Sequence, residues 1–389
     1  MLPTPLELPS RTFSKMPGLR LVKLSDAGRG LTRLAIAAIA GLALTIASCS
    51  SDSRSTTSPA MTSGAMGLVT EPAPVETAAP IITTEAWTFE TTAGKLISTT
   101  NYRIYTTATS EAMLTRLPTF AEAALKHYTS VLAPLPAPDA PMDTFIMGNR
   151  PQWERLTLRV MGSDADPYLQ IARGGFAARG KAVLWDIGRR DTFTITAHEG
   201  WHQYTQNNFE DPLPIVYEEG IATYMEGFRW TTSDRTTPQF LPWANWERFG
   251  QLREAVAEDR TLSLGELLRE APQDLMSRGG DSPLDYYAQV WALTLFLMEG
   301  DDGAYREPFV EMFKDAQAGT LRAKIRDKFG GRSASIHAMR RRGIDVLSAY
   351  TGIPTETLND KYQAFMKETV RTGAGQAISR GESPHAKSP

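Results

Sequence analysis

Two histidines and a glutamate form the pattern in this chain that is best suited to chemistry. His198, Glu199 and His202 follow one another as His-Glu-x-x-His inside a segment with helical character. Residues four apart lie on one face of a helix, so both imidazoles can offer a nitrogen ligand to the same metal ion. Glu199 is rotated off that line and can act instead as a base on water at the metal. The pattern therefore supplies two ligands and a base, but no third ligand.

The surrounding sequence predicts how this helix is held. A short apolar strand at residues 181–186 leads into it, and Asp191 or Thr192 can cap its first turn. Apolar residues then recur at helical spacing: Phe193, Ala197, Trp201 and Tyr204. This stripe predicts that one face of the helix lies in the core and that His198 and His202 face a cleft.

Composition restricts the class of protein. The 389 residues, 42% hydrophobic and 22% charged, are typical of a globular chain with one large domain or two modest ones. Cys49 is the single cysteine, which excludes an intrachain disulfide and a zinc site built on thiolates. Residues 1–49 hold six Lys/Arg and two Asp/Glu, so the rest of the chain has 35 basic and 42 acidic residues, a net charge of −7. A mildly acidic chain binds nucleic acid poorly, and we expect no nucleic-acid partner.

The first 49 residues have the pattern of an export signal. Residues 31–48 form an apolar run with Arg29 and Arg33 at its front and small residues at its end, which is typical of secretory signals. The closing Ile-Ala-Ser-Cys49 resembles the lipobox of bacterial lipoproteins, whose cysteine is lipidated and becomes the mature N-terminus. The resemblance implies a lipid-anchored protein of the bacterial cell envelope, with the membrane as a partner through Cys49. The alternative is a plain signal peptide or a membrane-spanning helix with an incidental cysteine.

The rest of the chain divides by composition. Residues 50–84 are rich in Ser, Thr and Pro and predict a flexible tether, and the polar residues 373–389 predict a disordered tail. Between them, residues 85–207 mix strand and helix patterns and end with the motif helix, and residues 208–372 are mostly helical. The expected fold class is therefore α+β.

Three further histidines have no second ligand at a suitable spacing. We interpret His127 as a packing residue and His385 as part of the disordered tail. His337 stands near a run of three arginines and is interpreted as part of a solvated basic surface.

A second motif follows the first. It reads Glu-Glu-Gly-Ile-Ala-Thr-Tyr from Glu218, and Glu219 lies 17 positions beyond His202. Gly220 and Ala222 remove side-chain bulk, which predicts close packing of this second helix on the motif helix. His-Glu-x-x-His followed by Glu-Gly-x-Ala-x-Tyr resembles the gluzincin group of zinc metallopeptidases, in particular its peptidase-MA-like bacterial families.

The resemblance implies one zinc ion bound by His198, His202 and Glu219, with Glu218 as the rival for the third ligand. It implies hydrolysis of a peptide or protein substrate, with Glu199 as the general base on water at the zinc. It also implies a zincin-like α+β fold, in which a small mixed sheet with an edge strand lies over the active-site helix and a mostly helical lobe follows.

Three further roles come with the resemblance. Tyr287, in a Tyr-Ala-Gln-x-Trp stretch, is the candidate oxyanion donor, with a packing tyrosine as the alternative. The strand at residues 181–186 would be the edge strand that holds substrate, and Glu226 would orient a histidine. The chain departs from thermolysin's pattern at Thr223, four positions after Glu219, where thermolysin has an aspartate that supports a zinc-bound histidine.

Two other classes of protein fit parts of the sequence. A non-catalytic envelope or surface lipoprotein could keep the zinc fold for binding, since a Ser/Thr/Pro tether suits any displayed module. A structural protein without metal would carry the His-Glu-x-x-His pattern by chance. An open coordination position at the metal favours the enzyme, and a plugged position favours the binding protein.

Overall fold

The computed structural model describes residues 82–386, except 232–235, 271, 273, 274 and 276–281. The predicted export signal, Cys49 and nearly all of the predicted tether lie outside the described residues. The first described strand begins at Thr83, two residues before the predicted domain start. Within the described part of the chain, no helix is long and apolar enough to cross a membrane.

A six-stranded mixed sheet forms the first half of the fold. Its strands are β1 (Thr83–Phe89), β2 (Thr92–Ser98), β3 (Tyr102–Thr106), β4 (Met142–Met147), β5 (Gly175–Ala178) and β6 (Lys181–Trp185). Their order across the sheet is β1-β2-β3-β4-β6-β5. β4 pairs in parallel with β3 and with β6, and the remaining pairs are antiparallel. The mixed sheet followed by a helical region confirms the α+β class.

The edge of the sheet beside the motif helix is β5, not the strand predicted at residues 181–186. That segment is β6, which lies between β4 and β5, so its assignment as the edge strand is wrong. Arg179 and Gly180 join β5 to β6 with φ angles of 54° and 72°, the positive values of a tight two-residue hairpin. β5 was missed because its four residues, rich in glycine and alanine, have low strand propensity.

Helices and one small hairpin complete the fold. Five helices accompany the sheet: α1 (Glu111–Leu114), α2 (Leu117–Tyr128), α3 (Arg150–Met161), α4 (Asp166–Leu169) and the motif helix α5 (Arg189–Asn208). α6 (Ile215–Met225) and the hairpin of β7 (Phe228–Trp230) and β8 (Pro238–Phe240) follow. The remaining described helices are α7 (Trp246–Ala257), α8 (Leu264–Leu267), α9 (Ser282–Gly303), α10 (Arg306–Gln317), α11 (Leu321–Arg340), α12 (Ile344–Thr351), α13 (Thr355–Thr369) and α14 (Gly375–Arg380).

The motif helix α5 lies at the centre of the fold. It contacts β5 and β6 of the sheet, α2 on another side and α6 on a third. Its predicted apolar stripe is buried: Phe193, Ala197, Trp201 and Tyr204 are at most 2% exposed. This burial fixes the rotation of the helix and therefore the direction of the two histidines.

Gly220 serves a different contact from the one predicted. A Cβ atom at this position would lie 2.5 Å from Thr294 Oγ1 and 2.8 Å from the carbonyl oxygen of Val290, both on α9. The glycine therefore lets α9 approach α6, and the prediction that it faces the motif helix is wrong. α6 is packed between α5 and α9, so its position depends on both neighbours.

The C-terminal segment is ordered as far as residue 386, so the predicted disordered tail is wrong for its described part. α14 buries Ile378, and the ring of His385 stacks on Phe365 at a centroid distance of 4.1 Å. A few apolar residues are enough to hold this segment, because they pack on a surface that the rest of the fold already provides. His337 is likewise buried at 3% exposure, so its assignment to a solvated surface is wrong. His127 is half-buried and stacks on Phe240, as a packing residue does.

Candidate metal centre

Helices α5 and α6 bring two imidazoles and one carboxylate together in the core. His198 Nε2 and His202 Nε2 each lie 3.5 Å from Glu219 Oε2. The three ligand atoms lie within 4.8 Å of one another, and all three side chains are buried. Ligands at about 2.0–2.1 Å from a tetrahedral ion are separated by roughly 3.3–3.4 Å, which is close to the two measured distances. This buried group could therefore bind a metal ion.

The other nitrogen of each histidine is held by its own carboxylate. His198 Nδ1 donates to Glu226 Oε1 at 2.8 Å, and His202 Nδ1 donates to Glu218 Oε1 at 3.0 Å. A carboxylate can only accept, so each bond places a proton on Nδ1 and makes Nε2 the atom that a metal would take. Apart from Glu219 at 3.5 Å, neither Nε2 atom has a hydrogen-bond partner among the described residues. The rings are therefore oriented as ligands before any ion arrives.

The structure distinguishes the two adjacent glutamates. Glu219 faces the Nε2 atoms, whereas Glu218 Oε1 also accepts a 2.7 Å bond from Thr205 Oγ1. Successive helical residues point about 100° apart, so one can face the metal position while the other reaches behind His202. Of the two candidates, the geometry thus brings Glu219 to the ligand position and Glu218 to the support of His202.

Glu226 is fixed by a buried network that sequence reasoning missed. Arg248 donates to both of its oxygens, from Nε at 2.9 Å and from Nη2 at 2.8 Å, and Asn245 Nδ2 donates at 2.8 Å. Burial alone would raise the pKa of Glu226, but Arg248 and the bond to His198 outweigh it and hold the pKa at about 2. The only sequence signal was Asn245, a suitable cap for α7, whose side chain accepts from the Arg248 amide.

The departure at Thr223 has a structural explanation. Thr223 Oγ1 donates to the carbonyl oxygen of Gly220 at 2.7 Å, within its own helix. Glu226 lies three residues later, which is the same helical face, and supplies the carboxylate that His198 requires. Glu226 therefore supports His198, in agreement with its predicted orienting role.

Glu199 lies beside the group with its carboxylate unused. The side chain is 0% exposed, and neither oxygen has a side-chain hydrogen-bond partner among the described residues. Burial raises the pKa of Glu199 to about 7, against the lowering influence of His198, His202 and the Ala177 backbone. A carboxylate with a pKa near neutrality can accept and return a proton with little driving force lost in either direction. Glu199 is therefore placed to do proton chemistry beside the two histidines.

Tyr287 on α9 reaches the same group. Its ring centroid lies 6.2 Å from that of His198, and the Arg248 guanidinium lies 5.2 Å over its face. Burial, together with the nearby charge of Glu219, raises its pKa well above 10. The hydroxyl therefore keeps its proton and remains a hydrogen-bond donor. The structure brings the predicted Tyr287 to the site.

The predicted cleft is closed over the motif in this structure. His198, Glu199 and His202 are each 0% exposed, so the expectation that they face an open cleft is wrong for this state. No protein-family model matches the chain, and no curated protein matches it. The chemistry of the site therefore follows from its own geometry.

Proposed function

We propose that the chain is a zinc-dependent metallopeptidase that uses His198, His202 and Glu219 as metal ligands. The observation that carries this proposal is the convergence of two oriented Nε2 atoms on Glu219 beside the buried carboxylate of Glu199. Two imidazoles and one carboxylate suit zinc, and three protein ligands leave a position for water or substrate. A purely structural metal site would need neither that position nor a free carboxylate next to it.

The proposed mechanism assigns one step to each residue. Bound zinc would lower the pKa of water and polarise the scissile carbonyl. Glu199 takes a proton from the attacking water and passes it to the leaving amine as the peptide bond breaks. Tyr287, which remains protonated, donates a hydrogen bond to the carbonyl oxygen as negative charge develops there. Glu218 and Glu226 hold the two imidazoles in place throughout.

In this proposal the substrate backbone adds to β5 instead of the strand first expected. The closing pair of the hairpin, Ala178 and Lys181, uses its backbone groups within the hairpin, so the outward groups belong to Ala177 and Gly175. The Ala177 carbonyl accepts from Gln206 Nε2 at 3.0 Å, which shows that it points away from β6. Ala177 is already bonded within the chain, through its carbonyl to Gln206 and through its backbone to Glu199, so an extended peptide would have to replace these bonds to pair with β5.

A non-catalytic zinc-binding envelope protein is the second candidate. The complete burial of the motif side chains favours it, since a peptidase must admit its substrate. Both candidates share the proposed location, a lipid anchor at Cys49 in the bacterial cell envelope. Membrane fractionation tests that location, because a Cys49→Ser variant should leave the membrane fraction.

Two measurements decide between the candidates. We expect one zinc per chain by elemental analysis, and hydrolysis of a peptide library that Glu199→Gln abolishes while zinc remains bound. Stoichiometric zinc without any Glu199-dependent cleavage would leave the binding protein as the function. A chain that holds no zinc, and whose melting temperature zinc raises neither in the wild type nor in His198→Ala, would exclude both candidates.

A further inference from the structure

A deep groove with a cationic wall lies at the N-terminal end of the motif helix. Its volume is about 1030 Å³, at the upper end of the range of about 300–1,000 Å³ for ligand pockets. Four of its lining residues are arginines, two from the first turn of α5 and two from separate elements: Arg189, Arg190, Arg116 and Arg229. No Asp or Glu is among its described lining residues. We call this feature the arginine groove.

Two of these arginines are held by the protein and two are not. Arg116 lies 5.7 Å from the ring centroid of Trp230, and Arg229 donates to the carbonyl oxygen of Ser379 near the end of α14. Arg189 and Arg190 are exposed, and their guanidinium groups make no hydrogen bond or ion pair with any described residue. They also stand in the first turn of a 20-residue helix, where the helix dipole disfavours cations and favours anions. An anion in the groove would give these two guanidinium groups a partner and would also interact favourably with the helix dipole.

The other lining residues indicate which class of anion would fit the groove. Trp230 and Trp246 offer apolar faces, and Trp246 is 47% exposed, which is high for such a large side chain. A flat membrane surface or a long polyanion would need a broad basic face, whereas these arginines share one concave groove in a chain of net charge −3. We propose that the arginine groove binds an acidic peptide segment in which carboxylates alternate with aromatic or apolar residues. This binding needs no catalysis, so it stands or falls separately from the proposed peptidase activity.

Fluorescence anisotropy tests the proposal directly. The probe is a short fluorescein-labelled peptide in which glutamates alternate with phenylalanines, added to the whole chain carrying Glu199→Gln so that it is not cleaved. Each exposed arginine that pairs with a carboxylate contributes up to about fivefold in affinity, so Arg189→Gln with Arg190→Gln should weaken binding about tenfold or more. Both side chains are exposed, and circular dichroism should show an unchanged fold. Added salt should weaken binding of the parent chain.

The control is a second double variant with the same change of charge. Arg306→Gln with Arg332→Gln removes two exposed arginines outside the groove lining, and binding should stay within about twofold of the parent. Equal loss in both double variants would overturn the proposal, since net charge alone would then explain the affinity. Equal binding of the peptide with glutamine in place of glutamate would also overturn it. Tighter binding of duplex DNA or anionic phosphatidylglycerol vesicles than of the peptide would assign the groove to another class of partner.

Discussion

Arg248 is the most informative residue to change, because it never touches the metal position. Arg248→Met keeps the length of the side chain but removes both bonds to Glu226. The pKa of Glu226 is lowered from 4.5 to about 2, and a depressed carboxyl pKa means stability that is present above pH 4.5 and is lost as the pH falls toward 2. A shift of that size corresponds to about 3 kcal/mol. A broken buried ion pair typically costs about 3–5 kcal/mol, so we expect the variant to lose about 3 kcal/mol at pH 7.

The same change should weaken metal binding through His198. Glu226 fixes the His198 ring, and loss of such a support typically lowers metal affinity about 10–100-fold. Urea unfolding in the presence of a chelator measures the first effect, and competition with a zinc-binding dye measures the second. The matched control is Arg248→Met with Glu226→Gln, which leaves no buried charge without its partner. This double variant should recover much of the lost stability but not the zinc affinity.

Either of two results would show that Arg248 does not act through Glu226 in this way. A stability loss below about 1 kcal/mol would mean that the buried pair is already solvated, as surface ion pairs are. Unchanged zinc affinity in both variants would mean that His198 is held by packing alone.

Three other changes test separate parts of the site and the core. Glu219→Ala should abolish zinc retention during gel filtration, whereas Glu218→Gln should lower zinc affinity only about 10–100-fold. Tyr287→Phe should lower kcat about 10²–10³-fold with zinc affinity unchanged, because the developing oxyanion loses a hydrogen-bond donor. Burial lowers the pKa of His127 from 6.5 to about 4, so the folded state resists protonation and loses stability as the pH falls from 6.5 to 4. In the wild type this loss should amount to about 3 kcal/mol of unfolding free energy between pH 6.5 and pH 4, measured by urea unfolding at both pH values. His127→Phe should not show it.

Opposite results would reassign these residues. Equal zinc loss in the Glu218 and Glu219 variants would leave the third ligand undecided. An unchanged kcat in Tyr287→Phe would make Tyr287 a packing residue. Parallel pH dependence of wild type and His127→Phe would show that water reaches His127 in the folded protein.

Features that depend on the geometry of a single helix could be predicted from the periodicity of the sequence. The spacing of His198 and His202, and the apolar stripe behind them, follow from the geometry of one helix, and the structure agrees on both. The choice of Glu219 came from a resemblance to a motif, and the position facing both Nε2 atoms is consistent with it. These features depend on contacts within about twenty residues.

Contacts between distant segments could not be predicted in this way. Arg248 reaches Glu226 only because α7 packs near the end of α6, and no local pattern marks a guanidinium for burial. β5 is a strand because β6 pairs with it, although its own residues favour no strand. Gly220 was predicted to pack against α5, but it allows the close approach of α9. A small residue indicates that another element comes close, but the sequence does not say which one. Tertiary packing decided each of these features.

The complete burial of the metal centre makes access to it a kinetic problem. With His198 and His202 at 0% exposure, neither an ion nor a chelator reaches Glu219 unless part of the surrounding structure opens first. Zinc transfer to excess EDTA should therefore be first-order, at a rate that does not change with EDTA concentration. A rate proportional to EDTA concentration would show that the centre is open in solution. If opening is limiting, the same motion would set the upper bound for turnover by the proposed peptidase, because its substrate would also need access to the buried group.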